Sequence, residues 1–170
     1  MTVRAEPAVV AVSGVKNSGK TTLITRMLPY LTAAGLRVAV IKHDGHSFVP
    51  DPPDTDTGRF MASGACGTAI FDGEKFKVIR WEAVDENALI AMFPDADLIL
   101  LEGFKASRWP KLELIREGNS AHPVCDPNTL LALVTDLPLE LPDVPRVRFG
   151  DAAGAAEVIL RFMAGGGNHD

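Results

Sequence analysis

One segment, Val9-Val10-Ala11-Val12-Ser13-Gly14-Val15-Lys16-Asn17-Ser18-Gly19-Lys20-Thr21-Thr22-Leu23, constrains the chain more than any other. Its β-branched apolar run stops at Ser13-Gly14 and reads as a buried strand. From Lys20 onward, Leu23, Ile24, Met27, Leu28 and Leu31 fall on one helical face. Between strand and helix, Gly14–Thr21 matches the pattern GxxxxGK[ST]. Glycines there let the backbone turn tightly and aim its N–H groups at phosphates. The N-terminus of the following helix adds its dipole. A lysine at position 20 reaches β- and γ-phosphates, and a hydroxyl at Thr21 ligates Mg²⁺. The segment therefore predicts a site for a nucleoside triphosphate with Mg²⁺, lined by Gly14, Val15, Lys16, Asn17, Ser18, Gly19, Lys20, Thr21 and Thr22. A glycine-rich turn that only caps a helix is the plain alternative, and the strand before and helix after argue against it. Lys16 stands one residue later than the extra lysine of the deviant Walker group and is read as an exposed loop lysine.

The rest of the chain repeats the alternation of strand and helix. Gly35 is placed to close the first helix, and Val38–Ile41 is a second apolar run, ending at Lys42-His43-Asp44. Strand, helix and strand of these lengths form a right-handed βαβ unit. Residues 45–56 are rich in Pro and Asp and read as a loop, followed by a short helix over Thr57–Ser63. Thr68–Phe71 and Lys75–Arg80 flank Asp72-Gly73, a strong hairpin signal. A helix is expected from Asp85 through Phe93. Leu98–Leu101 and Leu130–Val134 read as buried strands, and Lys111–Arg116, which alternates polar and apolar, as a half-buried one. Asp151 caps a last helix over Ala152–Ala164. The fold class predicted is α/β: a mainly parallel P-loop sheet flanked by helices, with an antiparallel β-hairpin. Residues 1–164 are expected to form a single nucleotide-binding domain, and residues 165–170 a flexible tail.

Composition narrows the function. With 46% hydrophobic and 23% charged residues the chain can bury a core. A net charge of −5 argues against a nucleic-acid polymer as partner, which wants a basic footprint. Cys66 and Cys125 are far apart and form no CxxC pair, so a structural zinc site or disulfide framework is not expected. A reducing, cytoplasmic setting fits better. No apolar run approaches the ~20 residues that span a membrane.

In open α/β sheets ligands gather at the carboxyl ends of strands. Asp97 precedes its strand and Glu102 follows it, so Glu102 is the candidate catalytic and metal-shell acid. Gly103 after it permits close backbone approach to a γ-phosphate. Asp44 is a second candidate for the magnesium shell. Lys42, His43, His46 and Lys105 flank the same rim as candidate phosphate or partner contacts. The histidines are too sparse for a metal site of their own. Asp136, after Thr135, stands where guanine-specific P-loop proteins place a base-reading aspartate, but the full Asn/Thr-Lys-x-Asp motif is absent. A turn-forming Asp before Leu137-Pro138 is the competing reading.

The segments VSGVKNSGKTTL, VIKHDGHSFVPD, ASGA, DLILLEGFK and ALVTDLPL, in that order, closely resemble the MobB family, molybdopterin-guanine dinucleotide biosynthesis protein B. The likeness covers nearly all of the chain, and IKHDGH and LILLEGFK carry most of its specificity. The resemblance implies a GTP-binding, weakly hydrolysing accessory protein with Mg²⁺, usually a homodimer. It also implies support of MobA, the guanylyltransferase that joins GMP to molybdopterin, with molybdopterin or its carrier as a further candidate partner. By the same resemblance Glu102-Gly103 occupy the Walker B position, and Lys42, His43 and Asp44 line the rim. The loop Asp51-Pro52-Pro53-Asp54-Thr55-Asp56-Thr57 lacks the Gly-Lys pair common in the family. Two other classes remain in competition: a metal-inserting GTPase chaperone, which would carry dense His/Cys clusters, and a small-molecule P-loop kinase, which would need an Arg-bearing lid.

Overall fold

The structure is a computed structural model and describes residues 6–45, 48 and 50–166. The chain divides into two compact units: one holds the chain up to His43 and from Leu89 onward, the other Asp44–Ala88. The first unit carries β1 (Ala8–Gly14), α1 (Lys20–Ala33), β2 (Val38–Lys42), β5 (Leu98–Glu102), β6 (Lys111–Ile115), β7 (Leu130–Thr135), β8 (Arg146–Arg148) and α4 (Ala152–Ala164). The second carries α2 (Asp56–Ala62), β3 (Gly67–Phe71) and β4 (Phe76–Arg80), and the short α3 (Glu86–Ile90) spans the junction.

Six strands form one parallel sheet in the order β2-β5-β1-β6-β7-β8. A parallel strand in such a sheet is covered on both faces and reads as continuous apolar sequence. β1 shows this directly. Val10 and Val12 join Leu98, Leu100, Leu112, Leu114, Ala132 and Val134 beneath α1 and α4. Val9 and Ala11 join Ile41, Ile99 and Leu101 on the opposite face, where Leu89, Ile90 and Trp109 pack. The apolar face expected on α1 is the one it buries, through Leu23, Ile24, Met27 and Leu31. The α/β class predicted from the sequence is the one found: a mainly parallel sheet with helices on it and a separate antiparallel pair.

In the second unit β3 and β4 pair antiparallel, with Phe71 opposite Phe76. The turn between them is built by Asp72, whose Oδ1 accepts the N–H groups of Glu74 (2.8 Å) and Lys75 (2.9 Å). The acidic loop before α2 is tied to the hairpin, since Asp51 pairs with Lys77 and accepts the Thr57 hydroxyl at 2.7 Å. Many large side chains of this unit are exposed, Phe71 by 81% and Phe76 by 77%. Among the described residues, no helix is long and apolar enough to cross a membrane.

Two local expectations give way to the structure, and one strand was not anticipated. The helix starting after Asp85 ends at Ile90 rather than Phe93, and Met92 and Phe93 close as turns. Phe93 precedes Pro94, which disfavours helical backbone at Phe93. β8 is an edge strand of three residues with arginines at both ends, too short to show a pattern. β6 is buried along its whole length rather than half-exposed. Its apolar residues Leu112 and Leu114 lie in the core beneath α1 and α4, while Lys111 and Glu113 point the other way, 0% and 1% exposed.

That burial is tolerated because each charge is met. Lys111 Nζ donates to the Ser107 carbonyl at 2.5 Å. Glu113 accepts the N–H groups of Val124 (2.6 Å) and Cys125 (3.2 Å), latching the segment after β6 onto the strand. Burial, with Glu113 beside it, pushes the Cys125 thiol up to about 12. Glu113→Ala would leave two N–H groups unsatisfied and remove one of the acids that act on buried Lys111. We expect it to cost about 3–5 kcal/mol in urea unfolding. Glu157→Ala, which removes an exposed pair with Arg161, should cost under about 1 kcal/mol. Equal effects would show that the buried charges of β6 contribute no more than a surface pair.

Candidate functional site

β1 delivers the chain into the loop at Gly14, and no other residue fits there. Its φ is +136°, and an added Cβ would lie 2.6 Å from the Leu114 carbonyl oxygen and 2.9 Å from Ser18 Oγ. The loop turns through Asn17, with φ +61°, to Gly19, the N-cap of α1. α2 and α4 are capped by side chains, Thr55 accepting from Gly58 N–H and Asp151 from Gly154 N–H. α1 has no side-chain cap and no acid in its first turn. Its leading N–H groups and the positive end of its dipole therefore suit an anion.

Three lysines and one carboxylate meet at this point. Lys20 folds back so that Nζ donates to the carbonyls of Val15 (2.7 Å) and Gly14 (3.3 Å). Burial lowers the pKa of its ammonium; Glu102 opposes that shift, and Lys42 and Lys105 add to it. Glu102, the last residue of β5, is 8% exposed. Its Oε1 accepts the Thr21 hydroxyl at 2.7 Å and lies 3.6 Å from Lys42 Nζ. Register explains the convergence, because Glu102 stands level with Val12 of β1 on one side and Lys42 of β2 on the other. The excess of cations suits a polyphosphate. The adjoining carboxylate and hydroxyl oxygens suit Mg²⁺, a hard ion that takes few protein ligands and completes its shell with waters and phosphate oxygens.

The strand ends around Glu102 are locked by backbone. His43 N–H donates to the Glu102 carbonyl at 3.1 Å, and Gly103 N–H to the Val12 carbonyl at 3.0 Å. Ser13 Oγ donates to the Gly103 carbonyl at 2.5 Å. Gly103 N–H is thus committed to the sheet edge. Phe104 follows with φ +48°, a left-handed conformation costing a bulky residue about 1–3 kcal/mol, and its ring packs 5.5 Å from that of His43. Asp97 lies at the opposite end of the sheet, where its Oδ2 accepts Arg37 N–H at 2.7 Å.

On the other side of β1, the turn after β6 touches the loop. Asn119 Nδ2 donates to the Lys16 carbonyl at 3.1 Å, and Asp136 Oδ1 accepts Glu117 N–H at 3.0 Å. The segment Arg116–Ser120 therefore joins the loop after β1 to the end of β7. Sequence reasoning did not single out Ser13, Asn119 or this turn. The rule that ligands sit at strand carboxyl ends nominates the segment after β6 as much as those after β1 and β5.

The sequence-predicted residues are thus distributed as follows. Lys20, Thr21, Glu102 and Lys42 come together, and Lys105 acts on Lys20 through its charge. His43 contributes its N–H and its ring at the rim. Asp136 is tied to the neighbouring turn. Asp44 is the first residue of the second unit. His46 lies outside the described residues. Among the described residues no cluster of three or more His, Cys, Asp or Glu side chains is arranged to hold a metal ion.

Comparison with known proteins agrees with the fold and the sequence. The profile of the MobB family, "Molybdopterin guanine dinucleotide synthesis protein B", matches residues 9–136. The chain is 33% identical over 156 residues to the molybdopterin-guanine dinucleotide biosynthesis adapter protein of Escherichia coli K12, covering 86% of this chain and 87% of that protein. It is 33% identical over 135 residues to the adapter protein of Haemophilus influenzae, covering 76% and 75%. The crystal structure of Bacillus subtilis MobB superposes with a TM-score of 0.71 at 26% identity, over 91% of this chain and 96% of that one.

The tight geometry at Gly14 gives a direct check on the loop. Gly118 also has positive φ, +72°, but an added Cβ there meets nothing within 4 Å. Gly118→Ala should cost about 1 kcal/mol, the left-handed penalty alone. Gly14→Ala adds contact with backbone and should cost at least ~1 kcal/mol more in chemical unfolding. Equal costs would show that the loop relaxes around Gly14.

Proposed function

The chain belongs to the MobB family, and from that premise we propose that this adapter of molybdopterin-guanine dinucleotide biosynthesis works as a GTP-binding protein. In this reading Gly14–Thr22 hold the phosphates, with Lys20 on the β- and γ-phosphate oxygens. Thr21 and Glu102 hold the Mg²⁺ shell. The observation that carries it is the 2.7 Å contact between Thr21 at the start of α1 and Glu102 at the end of β5, inside a ring of lysines. Mg²⁺ bound there supplies charge neutralisation for the β- and γ-phosphate oxygens. Thr21 Oγ would face the ion, and the Glu102 carboxylate would accept a hydrogen bond from a water in its shell. Lys20 exchanges its two carbonyl partners for phosphate oxygens.

Asp136 is the candidate guanine reader. Glu117 N–H holds the carboxylate through Oδ1, and in this reading its remaining acceptor sites would take the guanine N1–H and N2–H groups. Slow turnover fits the site, since among the described residues no arginine is paired with Glu102 or the P-loop, and arginine fingers account for most of the acceleration in this chemistry. The hairpin β3–β4 supports a homodimer. A lone two-stranded sheet leaves both outer ladders unpaired, its phenylalanines are exposed, and a two-fold copy is the commonest closed solution. The adapter name of the relatives points to a partner, for which a MobA-type guanylyltransferase is proposed, with molybdopterin or its carrier as its load. Both described cysteines are free, in keeping with a cytoplasmic protein.

Competition binding in the presence of Mg²⁺ tests the base. GTP should bind at least about tenfold tighter than ATP, a gap of ~1.4 kcal/mol, and Asp136→Asn should erode that preference. Equal affinity of the wild type for the two nucleotides would defeat the guanine assignment. Light scattering at micromolar concentration should show a dimer, and hydrolysis by the isolated protein should stay below about one turnover per second; a monomer would remove the hairpin argument, and fast hydrolysis the accessory role.

A further inference from the structure

We propose that Lys42 helps to distinguish a bound nucleoside triphosphate from a diphosphate, by exchanging Glu102 for the γ-phosphate when Mg²⁺ enters. The assignment rests on the magnesium–triphosphate reading of the P-loop. It starts from a conflict within the site. Glu102 Oε1 is shared between the Thr21 hydroxyl at 2.7 Å and Lys42 Nζ at 3.6 Å. Lys42 and Glu102 are register partners on adjacent parallel strands, so their side chains leave the sheet edge on the same side. Lys42 is therefore an ammonium held beside the carboxylate and hydroxyl that suit a dication.

A dication at this point competes with Lys42 for the charge of the one Glu102 carboxylate. Once a dication and its waters occupy the Thr21–Glu102 pair, electrostatic repulsion drives the ammonium of Lys42 away from Glu102. Its side chain is 56% exposed, and four methylenes give it freedom to move. Its backbone does not follow, because His43 N–H is hydrogen-bonded to the Glu102 carbonyl and the His43 ring is packed on Phe104. The displaced charge stays at the magnesium end of the site, where the terminal phosphate carries the greatest negative charge. A triphosphate offers it a new anionic partner there. A diphosphate ends one phosphate short and offers none.

Lys20 differs in position and consequence. It lies under the loop on the Val15 and Gly14 carbonyls, and in the proposed reading it serves the β-phosphate common to both nucleotides as well as the γ-phosphate. Lys42 reaches the site from β2 and contributes only when the γ-phosphate is present. A lysine that contacts the ground state in this way raises affinity without accelerating the chemistry, which agrees with slow turnover. The position has a second consequence through the chain. Lys42 is the last residue of β2, and one residue further, after His43, the chain passes into the second unit.

Calorimetry on the full chain with Mg²⁺ separates the possibilities. A non-hydrolysable GTP analogue and GDP are titrated into wild type, Lys42→Met and Lys42→Arg, with thermal unfolding as the check on fold. Lys42→Met should weaken the triphosphate analogue about tenfold, the scale of one lost charge-assisted hydrogen bond. It should leave GDP within about twofold, and Lys42→Arg should restore most of the difference. Equal weakening of both ligands, or of neither, overturns the assignment and leaves Lys42 a partner of Glu102 alone. Failure of the wild type to bind either nucleotide overturns the triphosphate reading, and this assignment with it.

Discussion

The candidate site depends on where two parallel strands stop. Glu102 is level with Val12, so β5 ends just before β1 runs on through Ser13 and Gly14 into the loop. That offset brings the Glu102 carboxylate to the first turn of α1 and sets Thr21 against it at 2.7 Å. Everything else in the site follows from the offset. Gly103 can donate to Val12 and accept from Ser13 only in this register, and Lys42 meets Glu102 because β2 pairs with the other edge of β5 at the same level. The sheet is covered on both faces by apolar packing, so the strand ends are not free to slide. A rigid scaffold thereby holds a small group of charges that would otherwise repel or collapse.

The same economy of charge runs through the next strand. β6 hides Lys111 and Glu113 against the segments around Ser107 and Val124–Cys125. Glu113 stands in register with Ser13, so the strand that carries the P-loop is flanked on one side by Glu102 and on the other by a second acid. The two have different surroundings. Glu113 is satisfied by two backbone N–H groups and is closed off, whereas Glu102 shares a hydroxyl and a lysine that can each find other partners. Buried acids with fixed N–H donors are structural. An acid whose partners are a hydroxyl and an exposed lysine is open to exchange, which is what the proposed function asks of Glu102.

Most of the sheet was legible because doubly covered parallel strands leave an unbroken apolar run, as in Val9–Val12, Leu98–Leu101 and Leu130–Val134. The turn between β1 and α1 was legible because its glycine spacing reflects contacts a Cβ would break, as at Gly14. The hairpin showed itself through Asp72-Gly73. β6 misled because alternation ordinarily signals one wet face, and nothing local reveals that Ser107 and the Val124–Cys125 backbone supply partners for Lys111 and Glu113. β8 was silent because three residues carry no period. Asn119 and the turn after β6 were missed for a related reason. Their tie to Lys16 exists only once β6 lies beside β1, a fact of strand order that no stretch of sequence contains.

The central claim is that this loop holds a triphosphate with Mg²⁺ through Lys20. Calorimetric titration of Mg²⁺ with GTP into wild type and Lys20→Ala tests it most directly, with chemical unfolding run on both proteins. The account predicts clear binding to the wild type, no measurable binding to Lys20→Ala, and near-equal stability of the two, since Lys20 is only partly buried and its partners are loop carbonyls. Equal affinity in a well-folded Lys20→Ala protein would contradict the account and leave Gly14–Thr22 as a turn that only starts a helix.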